Sequence, residues 1–534
     1  MEITHWGRLV AEALKARNVS VIFTLSGGHL FPIYDGAVEG KIDLVDVRHE
    51  ATAGFAAEAW GRLTRTVGVA AVTAGPGVFN AVNAMAQAQK NGAPLAILGG
   101  RAPESRWGMG SLQEIDHVPV CAPLTKRSET AGSDVLEQLT SGIRQAMTPP
   151  RGPVFFDFPL DLMMGDGAKA DTGEPSKIEP DPDTITRIAG LVSASSRPIL
   201  VAGSNVYMDG AWESMRAFAE KARIAVFTNG MGRGTIPADH ELAFSRSRSK
   251  AMKEADVVII AGTPFDFRLS FGDRFDRAAS VIHLDSAPEL ITKNRTLTEG
   301  MGADLDLAFR SLFEASSPAE SEDWLSDLRE TENKSSADVE AELTSEQTPI
   351  HPMRIYGELA KVLDRDAVIV GDGGDFVSYA GREIASYVPG AWLDPGPFGC
   401  LGCGPGYAIA AKRLYPDRQV VLLLGDGAFG FSGMEFDTMV RHGLPVVGIM
   451  GNNGIWALEK HPMRAFFGYD VVADLRQETR YDKVVEALGG YGETVTSPDE
   501  IGPALKRALD AGVPSLVNVL TDPDVVYPRS ANLA

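Results

Sequence analysis

Gln419-Val-Val-Leu-Leu-Leu424-Gly425-Asp426-Gly427, followed by Pro445-Val-Val-Gly-Ile-Met450-Gly451-Asn452-Asn453, is the stretch whose reading decides the architecture. Each half is a short apolar run, too brief for a helix, that ends in turn-forming residues. Gly433 to His442, between them, reads as a helix. Strand, helix, strand in that order implies two parallel neighbours in one sheet. Their loops then meet at the carboxyl edge of the sheet, where open α/β folds bind ligands. Asp426 and Asn453, 27 residues apart, are brought together there.

The same alternation runs outward through the chain. Val19–Leu25, Leu44–Val47, Val67–Val72 and Leu95–Leu98 read as buried strands, with helices at 51–62 and 81–90. Pro198–Ala202, Ile224–Phe227, Val257–Ile260 and Val281–Leu284 repeat the pattern, and Ala367–Val370 and Ser515–Leu520 complete it. The fold class is therefore α/β, with three doubly wound parallel-sheet domains. Gly165 to Thr184 and the Ser/Glu-rich Ala315 to Pro349 read as linkers, the second with a short helix around Trp324, Leu325 and Leu328. They divide the chain into 1–165, 183–314 and 350–534.

Composition excludes several classes of function. The 534 residues are 44% hydrophobic, 8% aromatic and 23% charged, the profile of an ordinary globular protein. No apolar run approaches the ~20 residues that span a bilayer, so a membrane protein is not expected. Fifty Lys and Arg against 71 Asp and Glu give a net charge of −21, which disfavours a nucleic-acid surface. Glu314 to Glu346 alone holds eleven acidic and two basic residues. Three cysteines make no disulfide framework, and the first residues lack signal-peptide character; a cytoplasmic location is expected.

Asp426 and the Asn453 amide offer hard oxygen donors suited to Mg²⁺, leaving positions for water and phosphate. Backbone N–H groups from Gly425 through Gly427 to Ala428, entering a helix, suit a diphosphate. An earlier copy, Gly371-Asp372-Gly373, has Gly399 at the equivalent spacing, so the metal is expected at the second copy. This Gly-Asp-Gly to Asn-Asn spacing resembles the fingerprint of thiamine diphosphate enzymes. The whole chain is similar to their acetolactate synthase and 2-hydroxyacyl-CoA lyase branch.

The resemblance implies specific roles. Asp426, Asn453 and the Ile455 carbonyl would bind Mg²⁺, and Gly373, Gly374, Asp375 and Phe376 would contact the diphosphate. Glu50, in Val47-Arg-His-Glu50, would hydrogen-bond the cofactor's aminopyrimidine, and a desolvated carboxylate is the group able to do so. Gly399 would accept from the amino group and Leu401 would bend the cofactor. In the family the cofactor lies between the first domain of one subunit and the third of its neighbour, which implies a homodimer or homotetramer. FAD, ADP or a CoA nucleotide is implied for the central domain, where Asp285, Arg246, Arg248, Lys250, Lys253 and Arg268 are candidates. Arg529 is a candidate for a carboxylate or phosphate.

Substrate choice turns on few positions. Glu459 stands six residues past Asn453, where thiamine-dependent pyruvate decarboxylases use a Glu for proton handling. Acetolactate synthases usually carry an apolar residue there and a Trp where this chain has Pro462. Gly27-Gly28-His29 resembles lyase-like members, and Gln113 matches a segment lining the site, with Leu112 replacing an aromatic. Cys400 and Cys403 form a C-x-x-C without a companion pair. The leading expectation is a lyase that cleaves a 2-hydroxyacyl-CoA to an aldehyde or ketone plus formyl-CoA. The alternative is an acetolactate synthase-like carboligase of 2-oxoacids. A non-catalytic scaffold would have lost Glu50, Asp426 or Asn453, and all three are present.

Overall fold

A computed structural model describes residues 5–162 and 170–528. The first sheet holds β1 (Val21–Thr24), β2 (Asp43–Asp46), β3 (Gly68–Val72), β4 (Leu95–Arg101), β5 (Arg127–Thr130) and β6 (Pro153–Pro159). The second holds β7 (Pro198–Ala202), β8 (Ala225–Thr228), β9 (Val257–Ala261), β10 (Ser280–Asp285) and β11 (Glu299–Gly302). The third holds β12 (Val368–Asp372), β13 (Trp392–Leu393), β14 (Val420–Gly425), β15 (Val447–Asn452), β16 (Tyr491–Val495) and β17 (Ser515–Leu520). Every pairing of these strands is parallel. Helices cover both faces, as the near-continuous apolar strands require.

Strand order is β2-β1-β3-β4-β6-β5 in the first sheet and β13-β12-β14-β15-β17-β16 in the third. These are the same topology, so the outer domains are structural copies. Their direction of winding reverses between β1 and β3, and between β12 and β14. The central sheet runs β11-β10-β9-β7-β8.

The outer domains also share one hydrophobic core, built from residues as distant as Phe23 and Leu516. Helix Glu50–Thr64 lies against helix Gly404–Leu414. A Cβ at Gly406 would stand 3.0 Å from Phe55 Cβ and from the Thr52 carbonyl, so glycine permits this close approach.

Three expectations change. The second linker contains a 22-residue helix, Glu322–Leu343. Its Trp324, Leu325 and Leu328 enter the central core and its Val339 enters a core of the third domain. The helix expected at 81–90 begins at Pro76, because proline is favoured in a first helical turn. β6 went unanticipated, since Pro153, Pro159 and Asp157 interrupt its apolar run, yet all seven residues are buried between β4 and β5. No helix among the described residues is long and apolar enough to cross a membrane.

Candidate active site

Several of the residues predicted from sequence lie at the two points where strand order reverses. In the third domain, β14 and β15 pair with Gly425 opposite Gly451. Asp426 opens helix Asp426–Ser432, and the Gly454 N–H donates to its Oδ2 at 3.1 Å, so the two loop tips are joined. Asp426 is only 3% exposed, and no cationic side chain among the described residues pairs with it. Burial pushes its carboxyl up to about 7; backbone N–H donors oppose the shift and Asp375 adds to it. Asn453 donates to Asp375 Oδ2 at 3.3 Å, while its Oδ1 accepts from the Ile455 N–H at 3.2 Å.

The first glycine turn lies beside the second. Gly373 has φ +132°, and a Cβ there would stand 3.2 Å from Gly425 N and 3.7 Å from Ala428 Cβ. A Cβ at Gly427 would meet the Trp456 ring at 2.5 Å, so the indole lies directly over that turn. Gly373, Gly374 and Asp375 thus adjoin Gly425, Asp426, Gly427 and Ala428. Phe376 differs from expectation in its side chain, which packs under Gly451 and against Tyr356 in the core. Its carbonyl accepts from the Tyr356 hydroxyl and its N–H donates to the Asp375 carboxyl.

This set suits Mg²⁺: a buried carboxylate without a cation, an amide oxygen and a loop of backbone carbonyls. Burial of Asp426 without a counter-charge is the feature that a divalent cation would relieve.

Asp372, in the earlier Gly-Asp-Gly copy, performs a different task. It is fully buried and accepts from the N–H groups of Gly402 (3.0 Å) and Gly404 (2.8 Å). Burial pushes its carboxyl to about 7. These bonds fix the loop carrying Gly399, with φ +73°, and half-buried Leu401. The Cys400 N–H donates to Gln87 Oε1 at 3.1 Å and its Sγ to Asn83 Oδ1 at 3.1 Å, tying the loop to helix Pro76–Asn91. All three cysteines are free and buried.

In the first domain, Glu50 opens its helix, 8% exposed, and accepts from Asn80 Nδ2 at 2.9 Å. His29 lies in the loop after β1, and its Nδ1 is 3.2 Å from Thr73 Oγ1. The Thr73 hydroxyl donates to Gln113 Oε1 at 3.4 Å. A Cβ at Gly77 would lie 2.8 Å from Thr73 Cγ2 and 3.5 Å from Glu50 Oε1, so Glu50, His29 and Gln113 converge around Thr73. Gln113 holds φ +60°, a left-handed conformation uncommon outside glycine. Burial, and secondarily His117, lower the His29 pKa below its ordinary value. Thr73, Asn80 and His117 carried no motif; the Gly75-Pro-Gly77 turn after a strand was the one available signal.

Glu50 makes no hydrogen bond or ion pair to the third domain among the described residues. Glu459 is exposed on helix Ala457–Phe467; its neighbour Lys460 pairs instead with Asp470 and Asp474. Asp285, the expected ribose acid, is buried, and its Oδ1 accepts from Asn205 Nδ2 at 2.7 Å and from the Ser286 N–H at 2.7 Å. Arg246 pairs with Glu383, Lys250 with Asp327 and Arg268 with Asp266, while Arg248 donates to the Thr228 carbonyl and Lys253 is exposed. Arg529 lies outside the described residues.

Comparison with known proteins accords with this geometry. Family models match at residues 4–120 (thiamine pyrophosphate enzyme, N-terminal TPP binding domain), 185–312 (central domain) and 372–519 (C-terminal TPP binding domain). The chain is 53% identical to the acetolactate synthase large subunit IlvG of Mycobacterium tuberculosis, over 99% of this chain and 98% of that one. It is 36% identical to 2-hydroxyacyl-CoA lyase 2 of Caenorhabditis elegans, over 97% and 89%, and 33% identical to the human protein of that name, over 97% and 90%.

Proposed function

The chain belongs to the thiamine pyrophosphate enzymes, and from that premise we propose that it is a Mg²⁺-dependent carboligase of the acetolactate synthase type, joining two 2-oxoacids. The observation that carries this reading is the 53% identity to an acetolactate synthase along nearly the whole of both chains. The lyase reading, which led on sequence alone, now ranks second because its relatives stand at 33–36%. His29, Glu459 and Pro462, where acetolactate synthases usually differ, are the residues that still favour it.

When bound, the cofactor supplies a nucleophilic carbon and an electron sink for cleaving and forming bonds beside a carbonyl. Asp426, Asn453 and the Ile455 carbonyl would hold Mg²⁺, and the turns at Gly373–Asp375 and Gly425–Ala428 would offer N–H groups to the diphosphate. Leu401 and Gly399 would shape the middle of the cofactor site. Glu50, held by Asn80, would hydrogen-bond the cofactor's pyrimidine ring through its carboxyl group. His29 and Gln113 would line the substrate side, with Glu459 reaching it from the third domain. The reading needs no nucleotide in the central domain.

A second copy of the chain would complete the site. Large apolar side chains stand exposed around both half-sites: Met109 and Leu112 in the first domain, Phe398, Phe431 and Met434 in the third. Such exposure marks an association surface, and a homodimer or homotetramer would cover it. Free, buried cysteines fit a reducing cytoplasm.

Incubating purified protein with thiamine diphosphate, Mg²⁺ and pyruvate should yield acetolactate. A parallel incubation with a 2-hydroxyacyl-CoA should release no formyl-CoA. Thioester cleavage without acetolactate would reverse the order of the two readings.

A further inference from the structure

Two histidines flank one turn of the first domain, and their partners dictate the form of each. The turn Thr73-Ala74-Gly75 leaves β3 and enters helix Pro76–Asn91. Gly75 adopts φ +60° and ψ −113°, which a side chain would not tolerate. Its N–H belongs to the unpaired donors at a helix start and needs an acceptor. The acceptor is His117 Nε2, at 2.8 Å. His117 is fully buried, and its Nδ1 lies 3.0 Å from Asp157 Oδ2, which also accepts from Arg101 Nη1 at 3.1 Å. A ring nitrogen that accepts carries no proton, so His117 is neutral with its hydrogen on Nδ1, directed at Asp157.

On the other side of the turn the same logic applies to His29. The Thr73 hydroxyl has one hydrogen, which goes to Gln113 Oε1. Its oxygen therefore accepts from His29 Nδ1 at 3.2 Å, and His29 too carries its hydrogen on Nδ1. The lone pair of His29 is left on Nε2, which has no protein partner among the described residues. Displacing the turn would move Thr73, and with it the group that selects this tautomer.

We propose that His117, oriented by Asp157 and Arg101, is a positioning residue that locks the Thr73–Gly75 turn and so holds His29 with Nε2 as its basic atom beside Glu50. The inference deepens the carboligase reading and rests on it for its consequence, not for its geometry. His117 and Arg101 belong to no motif legible in the sequence, and Asp157 is the acid that disguised β6.

The test uses full-length protein labelled with ¹⁵N-histidine and loaded with thiamine diphosphate and Mg²⁺. Resonances are assigned by the loss of one signal set each in His29→Gln and His117→Gln. Both histidines should report the neutral Nδ1–H form. His117→Leu removes the acceptor, so the His29 signal should move to mixed tautomers. Its kcat should fall on the order of 10- to 100-fold with KM for pyruvate little changed. His117→Gln, whose Oε1 can accept from Gly75, should restore most of both. If the Leu variant does not fold, Asp157→Asn decides: it should disturb the tautomers of His117 and His29 in a folded protein. An unaltered His29 signal in folded His117→Leu or Asp157→Asn overturns the proposal, as does a Gln variant as impaired as Leu. Wild-type protein without carboligase activity but with both tautomers as stated would refute the functional reading and leave the relay standing.

Discussion

Glu50 and Asp426 are both carboxylates at the first position of a helix, yet their surroundings divide their work. Glu50 has an amide donor in Asn80, whereas Asp426 has backbone N–H groups and, among the described residues, no cationic partner. Glu50→Gln should therefore lose most turnover, on the order of 10²–10⁴-fold, and keep its cofactor affinity. Asp426→Ala should lose Mg²⁺-dependent cofactor binding itself. Titration of the Trp456 fluorescence, whose indole covers Gly427, distinguishes them; equal loss of binding in both variants would contradict the division. Asp372 gives a prediction of a different kind. Its carboxyl is raised to about 7 in the folded chain and returns to about 4 when unfolded. Between those values the folded protein retains a proton that the unfolded chain has released, so this group's contribution to stability falls as pH rises. Asp372→Asn abolishes that slope but turns an amide N–H₂ toward one of two donors, at a cost of about 1–3 kcal/mol. Thermal unfolding of the cofactor-free proteins should show the variant less stable at pH 5, with the gap narrowing by pH 8. A gap that stays constant from pH 5 to pH 8 would show that Asp372 is charged throughout.

At the scale of the element, the helix Glu322–Leu343 has the most to explain. Eleven acids in its neighbourhood make it read as solvated linker, but three apolar side chains near its start suffice to seat it. Leu328 is fully buried, and its truncation leaves a cavity in the central core. Leu328→Ala should lower stability by about 2–5 kcal/mol without altering Mg²⁺-dependent cofactor binding, because the segment meets neither half-site; denaturant unfolding measures the first and fluorescence titration the second. The same comparison shows which elements a sequence discloses. β14 and β15 were legible because an uninterrupted apolar run ends in residues with chemistry of their own. β6 was not, because a buried Asp157 looks like an exposed one until Arg101 and His117 are placed beside it. The site divides in the same way. Asp426, Asn453 and Glu50 stand in recognisable spacing, while Thr73 and Asn80 matter only through side chains that folding delivers from other elements.

For the whole molecule, the repeated topology is the organising fact. The loops after β1 and β3 carry His29 and Thr73; their counterparts after β12 and β14 carry Gly373 and Asp426. On the proposed reading each outer domain presents half of a site at the same place in the same fold, yet among the described residues Glu50 hydrogen-bonds only to Asn80 of its own domain. The apolar surface beside the half-sites, Leu112 at 79% exposure and Phe431 at 63%, is more than an isolated chain gains from exposing. Both facts are resolved if two copies associate so that the first domain of one faces the third domain of the other. Phe431→Glu would place a charge in that contact, and burying an unpaired charge costs far more than the lost apolar area. The variant should sediment as a monomer at concentrations where the wild type is a dimer or larger. It should fold, since Phe431 lies outside the shared core, and it should lose cofactor binding although Asp426 and Asn453 are untouched. Monomers that bind cofactor as tightly as the wild type would show that one chain makes a complete site, and the placement of Glu50 opposite a partner's diphosphate turn would then be wrong.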